Sequence, residues 1–274
     1  MKTLRLELRD LELHCHDAGS GAPPLILLHG FTGHRDDFVD PIPRLAEGRR
    51  VLAPDLRGHG GSRASGGHFT FERLEADLLA LLDALSIDRC HLPGHSFGGM
   101  VALRFVLAHP DRIASFIPMS TSPFAPPGSV PERIEKAGQI AVAKGMPAFQ
   151  ELVERAARNN PDPGPSDRQV AKWAERYWRH HRRRYLDMDP VAYGALGAIM
   201  VKQRSLVPRL REIDCATGVL VGSDDGGFLS GADAFEQGIA GAVRETIPDA
   251  GHHPHVENPE AFHAALERHL GRTL

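Results

Sequence analysis

The sequence contains few cysteines, and their positions exclude several kinds of site. Only three occur among the 274 residues, Cys15, Cys90 and Cys215, and their spacing fits neither a zinc motif nor a redox motif. Each lies in an apolar stretch, so we expect buried, reduced thiols and a cytoplasmic protein. The opening segment MKTLRLELRDLEL alternates charge with leucine and lacks the apolar core of a signal peptide.

Long apolar runs, an excess of one charge, and nucleotide or metal motifs are also missing. No stretch of about 18 apolar residues occurs, so the sequence predicts no membrane span. There are 32 lysines and arginines against 35 aspartates and glutamates, a net charge of −3. This balance predicts no general attraction to nucleic acid or to an anionic membrane. Because neither a P-loop nor an H-E-x-x-H motif is present, we expect neither a cofactor nor a metal.

Short apolar runs that alternate with helical patterns indicate an α/β fold. Period-two alternation near the start predicts an antiparallel hairpin at a sheet edge. Later runs are continuous and apolar, which is typical of strands buried on both faces of a parallel sheet. These runs are PPLILLHG, RRVLAPD, DRCHLPGHS, IASFIPMS and CATGVLVGSDD. Since helical patterns separate them, we predict a mostly parallel sheet of about eight strands with helices on both faces.

One region departs from this alternation. Residues 123–206 contain no convincing strand and read as several helices separated by clusters of proline and glycine. We predict that they form a helical lid inserted after the sixth strand, while residues 1–122 and 207–274 form the core. The basic run RHHRRRY, Arg179 to Tyr185, could bind an anion or could form a solvated helix face.

The segment LPGHSFGGMVAL places Ser96 between an apolar run and a helical pattern. A nucleophile on a tight strand-to-helix turn has strained backbone angles, and its neighbours two positions away must be small. Gly94 and Gly98 satisfy that requirement. The turn raises the Ser96 hydroxyl above the sheet edge, near the positive end of the helix. G-x-S-x-G arises often by chance, but a strand before it and a helix after it favour a nucleophile.

With these features the chain resembles the α/β-hydrolase fold family over nearly its whole length outside the helical insertion. The resemblance depends on five segments in the family's order and spacing: LLHGFTG, APDLRGHGGS, GHSFGG, VGSDD and AGHHPHVENPEAF. It implies a serine nucleophile followed along the chain by an acid and then a histidine base. Ser96 is then the nucleophile.

The resemblance also implies the other two members of the catalytic triad. His252, directly after Gly251, matches the base. Two candidates for the acid follow a predicted strand, Asp224 and Asp225. The position three residues after the strand-ending glycine favours Asp225, and Asp224 stays open as an alternative. The next segment, GGFLSG, departs from the continuation that is common in the family.

Backbone and aromatic groups complete the predicted site. An acyl-transfer reaction needs two N–H donors for the oxyanion, and by resemblance they belong to Phe31 and Phe97. Phe31, Phe97 and Phe124 flank the site and are predicted to wall the substrate pocket, together with Trp173 of the lid. Other large lid residues could also wall it, although we expect most of them to pack helices together. These are Met146, Phe149, Tyr177, Trp178, Tyr185 and Tyr193.

The predicted function is a serine hydrolase that cleaves a small carboxylic ester or lactone. Ser96 argues against the relatives of this fold that use an aspartate nucleophile, haloalkane dehalogenases and epoxide hydrolases. A C–C bond hydrolase is less favoured, because His253 stands where those enzymes commonly carry tryptophan. A cofactor-free haloperoxidase or perhydrolase fits the same triad, and a low-turnover ligand receptor is an alternative of another class. A homodimer also stays open.

Overall fold

Nine strands in the described part of the chain form one sheet. The computed structural model describes residues 1–64, 67–159 and 165–272, with Arg63 and residues 165–174 described by their backbone alone. The strands are β1 Lys2–Leu8, β2 Leu11–Ala18, β3 Leu25–Ile26, β4 Val51–Pro54, β5 Arg63–Ala64, β6 Cys90–His95, β7 Ile113–Met119, β8 Ala216–Gly222 and β9 Val243–Ile247.

Eight of these strands follow the order β1-β2-β4-β3-β6-β7-β8-β9 across the sheet, and the two-residue β5 pairs with β2. The pairs β1–β2 and β2–β4 are antiparallel, and every pair from β4 through to β9 is parallel. The prediction of a mostly parallel, eight-stranded sheet with an antiparallel hairpin at one edge is therefore confirmed. Carboxyl ends of the parallel strands meet at one edge, where ligands of open α/β sheets bind.

Helices connect the parallel strands. They are α1 Ile42–Leu45, α2 Phe71–Ala84, α3 Phe97–Ala108, α4 Pro131–Arg158, α5 Pro165–Leu186, α6 Pro190–Lys202, α7 Leu229–Gly238, α8 Pro254–Glu257 and α9 Pro259–Gly271. Helix α2 begins at Thr70, whose side chain accepts a hydrogen bond from the Arg73 N–H at 3.2 Å. Within the described ranges, no helix combines the length and the apolar character needed to cross a bilayer.

The helical insertion lies between β7 and β8 and consists of α4, α5 and α6. Because β5 lies off the main path, β7 is the sixth strand of the eight in chain order, as predicted. Helix α4 is interrupted at Gly145, whose φ is +78°. Helices α4 and α6 approach closely at Gly138 and Gly194, where a Cβ on Gly138 would lie 2.7 Å from the Gly194 Cα. Glycine at these positions allows the two backbones to touch.

The core has two parts, one on each face of the sheet. Alternate residues of β3 and its continuation point to opposite faces, so Leu25 and Leu27 join one part and Ile26 and Leu28 join the other. All four side chains are fully buried. Helices α1 and α9 cover the first face, and α2, α3 and α7 cover the second. Burial on both faces explains why these strands are continuous apolar runs in the sequence.

The three cysteines are free thiols. Cys15 and Cys90 are buried, and Cys215 is half-buried. Burial raises the pKa of the Cys90 thiol to about 12 and also raises that of Cys15 and Cys215. Because a thiolate rather than a thiol is the reactive form, none of the three is prepared to act as a nucleophile.

Candidate active site

Ser96 lies on the sharp turn between β6 and α3. Its φ is +51° and its ψ is −117°, a strained backbone conformation for a residue that carries a side chain. The helix packs so closely that a Cβ on Gly98 would lie 2.4 Å from the His29 carbonyl oxygen, and one on Gly94 would lie 2.6 Å from the Gly98 oxygen. Side chains at these two positions are excluded, which explains the G-x-S-x-G spacing.

Three side chains that follow the ends of separate strands meet at this edge of the sheet. The His252 Nε2 lies 3.0 Å from the Ser96 Oγ, and its Nδ1 lies 3.2 Å from the Asp225 Oδ2. Ser96 follows β6, Asp225 follows β8, and His252 follows β9. Asp225 and Ser96 are 5 % and 6 % exposed, so the chain of contacts runs from a buried carboxylate to a nearly buried hydroxyl.

The neighbouring acid, Asp224, has a different environment. It is exposed, its backbone N–H donates to the Ala250 carbonyl at 2.8 Å, and the Ser223 hydroxyl lies 3.3 Å from its Oδ1. Of the two aspartates that the sequence left open, Asp225 is the one that contacts His252. The turn after β8 directs the two adjacent side chains differently, and a sequence pattern does not reveal such directions.

Two further residues hold His252 in place, and sequence reasoning missed both roles. The Phe228 ring stacks on the imidazole, with ring centres 4.6 Å apart and planes 20° apart. His95, the residue before Ser96, lies with its Nε2 2.6 Å from the His252 carbonyl oxygen, to which an Nε2–H would donate. Phe228 belongs to the GGFLSG segment that departs from the family pattern. Only that departure marked the segment as unusual.

The loop after β3 lies directly against Ser96. A Cβ on Gly30 would lie 3.2 Å from the Ser96 Cβ and 3.0 Å from the His95 Nδ1, so the backbone approaches the hydroxyl closely. Phe31 follows that glycine. Phe97 is the first residue of α3, and the N–H of a first helical residue has no acceptor within its own helix. The two predicted oxyanion donors are therefore on elements that border Ser96.

A second loop supports the one that carries Phe31. His29 Nε2 accepts a hydrogen bond from the Leu56 N–H at 2.9 Å, and Asp55 Oδ1 accepts one from the Arg35 N–H at 2.7 Å. Both acceptors are fully buried. Burial, opposed by the nearby carboxylates, lowers the pKa of His29, which keeps the imidazole neutral and able to accept. The APDLRGHGGS segment thus supports the loop beneath the site.

A cavity of about 240 Å³ opens beside the Ser96 hydroxyl, and we name it the serine cavity. One wall is the loop after β3, and the opposite wall is helix α5 of the insertion. Its lining includes Gly30, Phe31, Thr32, His252, His253, Tyr177, His181, Arg184 and Tyr185. The helical insertion therefore contributes aromatic, imidazole and guanidinium groups to the cavity wall.

Of the residues predicted to wall the pocket, some line the serine cavity and others do not. Phe31 lines the serine cavity. The Phe97 side chain does not, because its ring is fully buried between Phe31 and Phe71, with ring centres 6.2 Å and 5.6 Å away. Phe124 is not among the lining residues either, and its carbonyl accepts a hydrogen bond from Gln203 at 3.0 Å.

The other lid residues divide between wall and packing. Trp173 lies outside the residues whose side chains are described. Tyr177 and Tyr185 line the serine cavity. Four others are buried among the helices, as expected for most of this group: Met146, Phe149, Trp178 and Tyr193.

Three other imidazole rings lie close to that of His95. Its ring centre lies 4.9 Å from that of His252, 5.1 Å from that of His253 and 5.0 Å from that of His255. Burial, followed by the neighbouring imidazoles, holds the pKa of His95 and of His253 well below the usual range, and burial lowers that of His255 to about 4. Despite this density, no group of three or more potential ligands in the described ranges is arranged to hold a metal ion.

Buried neutral histidines predict a protein that loses stability in mild acid. Burial lowers the pKa of five imidazoles to about 3 or 4, those of His59, His91, His181, His255 and His269. The unfolded chain protonates them near pH 6.5, so between pH 6.5 and 4 each costs up to about 1.4 kcal/mol of stability per pH unit. We expect the melting temperature to fall by about 10 °C or more from pH 7 to pH 5, measured by circular dichroism.

His255→Leu provides a matched test of that prediction. Neither ring nitrogen of His255 has a hydrogen-bond partner, and the ring packs against Phe38 and Phe262. An apolar side chain of similar volume should therefore be accepted. The slope of the unfolding free energy against pH measures how many protons the chain takes up on unfolding. The substitution should lower that number by up to one. A slope equal to that of the unaltered protein would show that His255 does not take up a proton on unfolding.

Known proteins of similar sequence and fold include a synthase, an esterase and an enol-lactonase. A 2-succinyl-6-hydroxy-2,4-cyclohexadiene-1-carboxylate synthase from Bacillus subtilis is 28% identical over 253 residues, 90% of each chain. A thermophilic esterase from Thermogutta terrifontis, solved with malate bound, matches with a TM-score of 0.85 at 26% identity, covering 100% of this chain and 99% of that one. The enol-lactonase from Burkholderia xenovorans LB400 matches with a TM-score of 0.82 at 25% identity, covering 95% and 97%.

Coverage differs among the relatives. The chain spans only 26% and 65% of the length of two acetyltransferase components of acetoin cleaving systems that it also matches. The family model of the alpha/beta hydrolase fold matches residues 23–259, which include the strained turn at Ser96 and the loops that carry Asp225 and His252. On this match, the chain belongs to the alpha/beta hydrolase fold family.

Proposed function

We propose that the protein is a serine hydrolase that cleaves a carboxylic ester or a lactone through a triad of Ser96, His252 and Asp225. One observation carries the proposal, the contact of 3.0 Å between the Ser96 Oγ and an imidazole whose other nitrogen faces a buried carboxylate. A serine hydroxyl is a weak nucleophile until an adjacent base accepts its proton. Asp225 favours the imidazole tautomer that has its proton on Nδ1, which leaves Nε2 free to act as that base.

The first half of the reaction forms an acyl-enzyme. The Ser96 Oγ attacks the substrate carbonyl carbon while its proton passes to the His252 Nε2. The carbonyl oxygen becomes an oxyanion, which accepts hydrogen bonds from the N–H groups of Phe31 and Phe97. When the tetrahedral intermediate collapses, the bond from carbon to the leaving oxygen breaks, and His252 returns the proton to that oxygen. An ester then releases an alcohol, whereas a lactone opens and keeps its new hydroxyl attached.

The second half restores the enzyme. A water molecule gives a proton to the His252 Nε2 and attacks the acyl carbon through its oxygen. The same two N–H groups receive the second oxyanion. The bond from carbon to the Ser96 Oγ then breaks, and the proton on His252 moves to the serine oxygen. The product is a free carboxylic acid, and every proton taken up in one step is returned in a later one.

The comparisons are compatible with the ester or lactone reaction, and they also include a 2-hydroxy-6-oxo-2,4-heptadienoate hydrolase from Pseudomonas putida that is 37% identical over 113 residues. An esterase and an enol-lactonase are among the solved structures that this chain resembles along almost its whole length. C–C bond hydrolysis and peracid formation can use the same triad. The first is less favoured because His253 follows the base where those hydrolases commonly have tryptophan. A low-turnover receptor would bind its ligand tightly and hydrolyse it very slowly.

The test is hydrolysis of p-nitrophenyl esters from acetyl to decanoyl, together with simple lactones, with Ser96→Ala as the inactive control. We expect ready turnover and an optimum among the shorter acyl chains, because the serine cavity is smaller than the 300–1,000 Å³ usual for larger ligands. Turnover below about one event per minute on every ester and lactone, from a folded protein, would contradict the proposal. It would direct attention to C–C substrates, peracid chemistry and tight binding without turnover.

A further inference from the structure

Arg184 is a buried cation in the wall of the serine cavity. Its residue exposure is only 8 %, and it lies in the basic run from Arg179 to Tyr185. Arg184 also borders a neighbouring cavity of about 350 Å³, which shares Asp37, Tyr177 and His253 with the serine cavity. A buried charge is costly unless it has a partner, so its environment indicates what it binds.

The other arginines on this part of α5 have partners or face solvent. Arg182 pairs with Glu154 at 2.6 Å, and Arg183 pairs with Asp36 at 2.6 Å. Arg179 is exposed. Arg184 differs from all of these, because its Nε is buried with no hydrogen-bond partner and the described residues offer its guanidinium no ion pair.

The acid that shares the serine cavity with Arg184 is already occupied by other donors. Asp37 Oδ1 lies 2.6 Å from the His180 Nε2, and Asp37 Oδ2 accepts a hydrogen bond from the His34 N–H at 3.2 Å. Burial alone would raise the pKa of Asp37, yet the contact with His180 and the charge of Arg184 hold it well below the usual range. Asp37 thus offsets part of the Arg184 charge, while the Arg184 Nε has no hydrogen-bond partner.

Helix periodicity explains why only this arginine faces the cavity. Tyr177, His181 and Arg184 are spaced at i, i+4 and i+7, which places them on one face of α5. All three line the serine cavity. On the adjacent face, Arg176, His180 and Arg183 have the same spacing and contact Asp40, Asp37 and Asp36 of the segment after β3. These three contacts hold α5 against the site and keep Arg184 directed inward.

We propose that Arg184 binds a carboxylate of the substrate, so that the preferred substrate is an ester or lactone that carries a second, free carboxylate. The proposal rests on the serine hydrolase function proposed above, since it concerns the other end of the same substrate. A guanidinium presents a planar fork of donors that matches the two oxygens of a carboxylate. Because Ser96 and Arg184 border one cavity, the scissile carbonyl and the free carboxylate can be bound together.

The test compares esters that differ only in that charge. Mono-p-nitrophenyl succinate, glutarate and adipate carry a free carboxylate at three distances from the scissile carbonyl. The matched neutral substrates keep the p-nitrophenyl ester and carry a methyl ester in place of the free carboxylate. We expect kcat/KM to be larger for the acid than for its methyl ester at one of the three lengths, mainly through KM. No preference for the acid at any length would overturn the proposal.

Variants then assign the preference to Arg184. Charge-assisted hydrogen bonds of this kind predict that Arg184→Gln lowers the acid-to-methyl-ester ratio of kcat/KM by about 10- to 100-fold. Arg184→Lys should retain part of the ratio. Asp37→Asn should raise it, because it removes the competing negative charge. Arg179→Gln, which removes one positive charge from the exposed side of the same helix, should leave the ratio unchanged. An unchanged ratio in Arg184→Gln would overturn the proposal.

Binding without turnover separates this inference from the proposed function. Free glutarate and its neutral diamide, glutaramide, can be titrated into the Ser96→Ala protein by calorimetry, with and without Arg184→Gln. Glutarate binding that is lost with Arg184→Gln supports the carboxylate site even if no ester is hydrolysed, in which case only the serine hydrolase proposal fails. Conversely, ready hydrolysis of neutral esters, with equal binding of glutarate and the neutral glutaramide, overturns the carboxylate site alone.

Discussion

Ser96→Ala is expected to lower kcat for ester hydrolysis by about 10⁴- to 10⁶-fold while the protein keeps its fold. In the proposed reaction the hydroxyl oxygen forms the acyl bond, and alanine has no atom that can replace it. Alanine keeps the Cβ, so the strain of the positive φ is the same in both proteins. The hydrogen bonds from the Ser96 N–H to the Met119 carbonyl and from the Thr121 hydroxyl to the Ser96 carbonyl also persist. The measurement is single-substrate kinetics beside a thermal melt.

Ser120→Ala is a matched control for that substitution. Ser120 follows the neighbouring strand β7, is 1 % exposed, and also has a positive φ, of +45°. Its hydroxyl has no hydrogen-bond partner and does not line the serine cavity. The control should retain activity within about threefold and melt close to the unaltered protein. If Ser96→Ala kept a similar share of activity, another residue would have to be the nucleophile.

Much of the fold can be predicted from local sequence patterns, because those patterns record which faces of each strand and helix are buried. Continuous apolar runs such as LILL send alternate side chains to opposite faces, and both faces are buried by helices. The turn at Ser96 is equally readable, since Gly94 and Gly98 remove side chains at the two positions where strand and helix touch.

The walls of the site were less predictable because side-chain direction depends on packing at a distance. Phe97 is adjacent to Ser96 in sequence, yet its ring lies in the core against Phe71. Only the unusual GGFLSG segment points to Phe228 in the sequence, and nothing there predicts that its ring stacks on His252. Sequence proximity brings a backbone near the nucleophile, whereas the direction of each ring is decided by which neighbours leave room for it.

The roles of the individual arginines in the basic run on α5 could also not be predicted from composition. That composition left anion binding and a solvated face as alternatives, and the arginines of the run have different environments in the structure. Arg179 is exposed, Arg183 pairs with Asp36, and Arg184 is buried beside the serine cavity. Helical periodicity could have separated these faces, since Tyr177, His181 and Arg184 share one of them. Periodicity could not have predicted which face of α5 meets the sheet, because that depends on how the whole helical insertion packs against the core.

Asp225→Asn is expected to lower kcat by about 10⁴-fold, whereas Asp224→Asn should change it by less than about threefold. Asp225 is 5 % exposed and lies 3.2 Å from the His252 Nδ1. A carboxylate can only accept from that nitrogen, which keeps the proton on Nδ1 and leaves Nε2 as the base. An asparagine amide can donate instead, so the imidazole would carry its proton on Nε2 and could not accept one from Ser96.

The Asp224 variant is a close control, because it makes the same chemical change one residue earlier in the same turn. Its backbone N–H donates to Ala250 in either protein, and its side chain is exposed. Both variants should bind substrate with similar KM, since the change affects proton transfer rather than the cavity wall. A larger loss in Asp224→Asn would reverse the assignment of the acid. Equal, small losses would mean that His252 works as a base without an aspartate that fixes its tautomer.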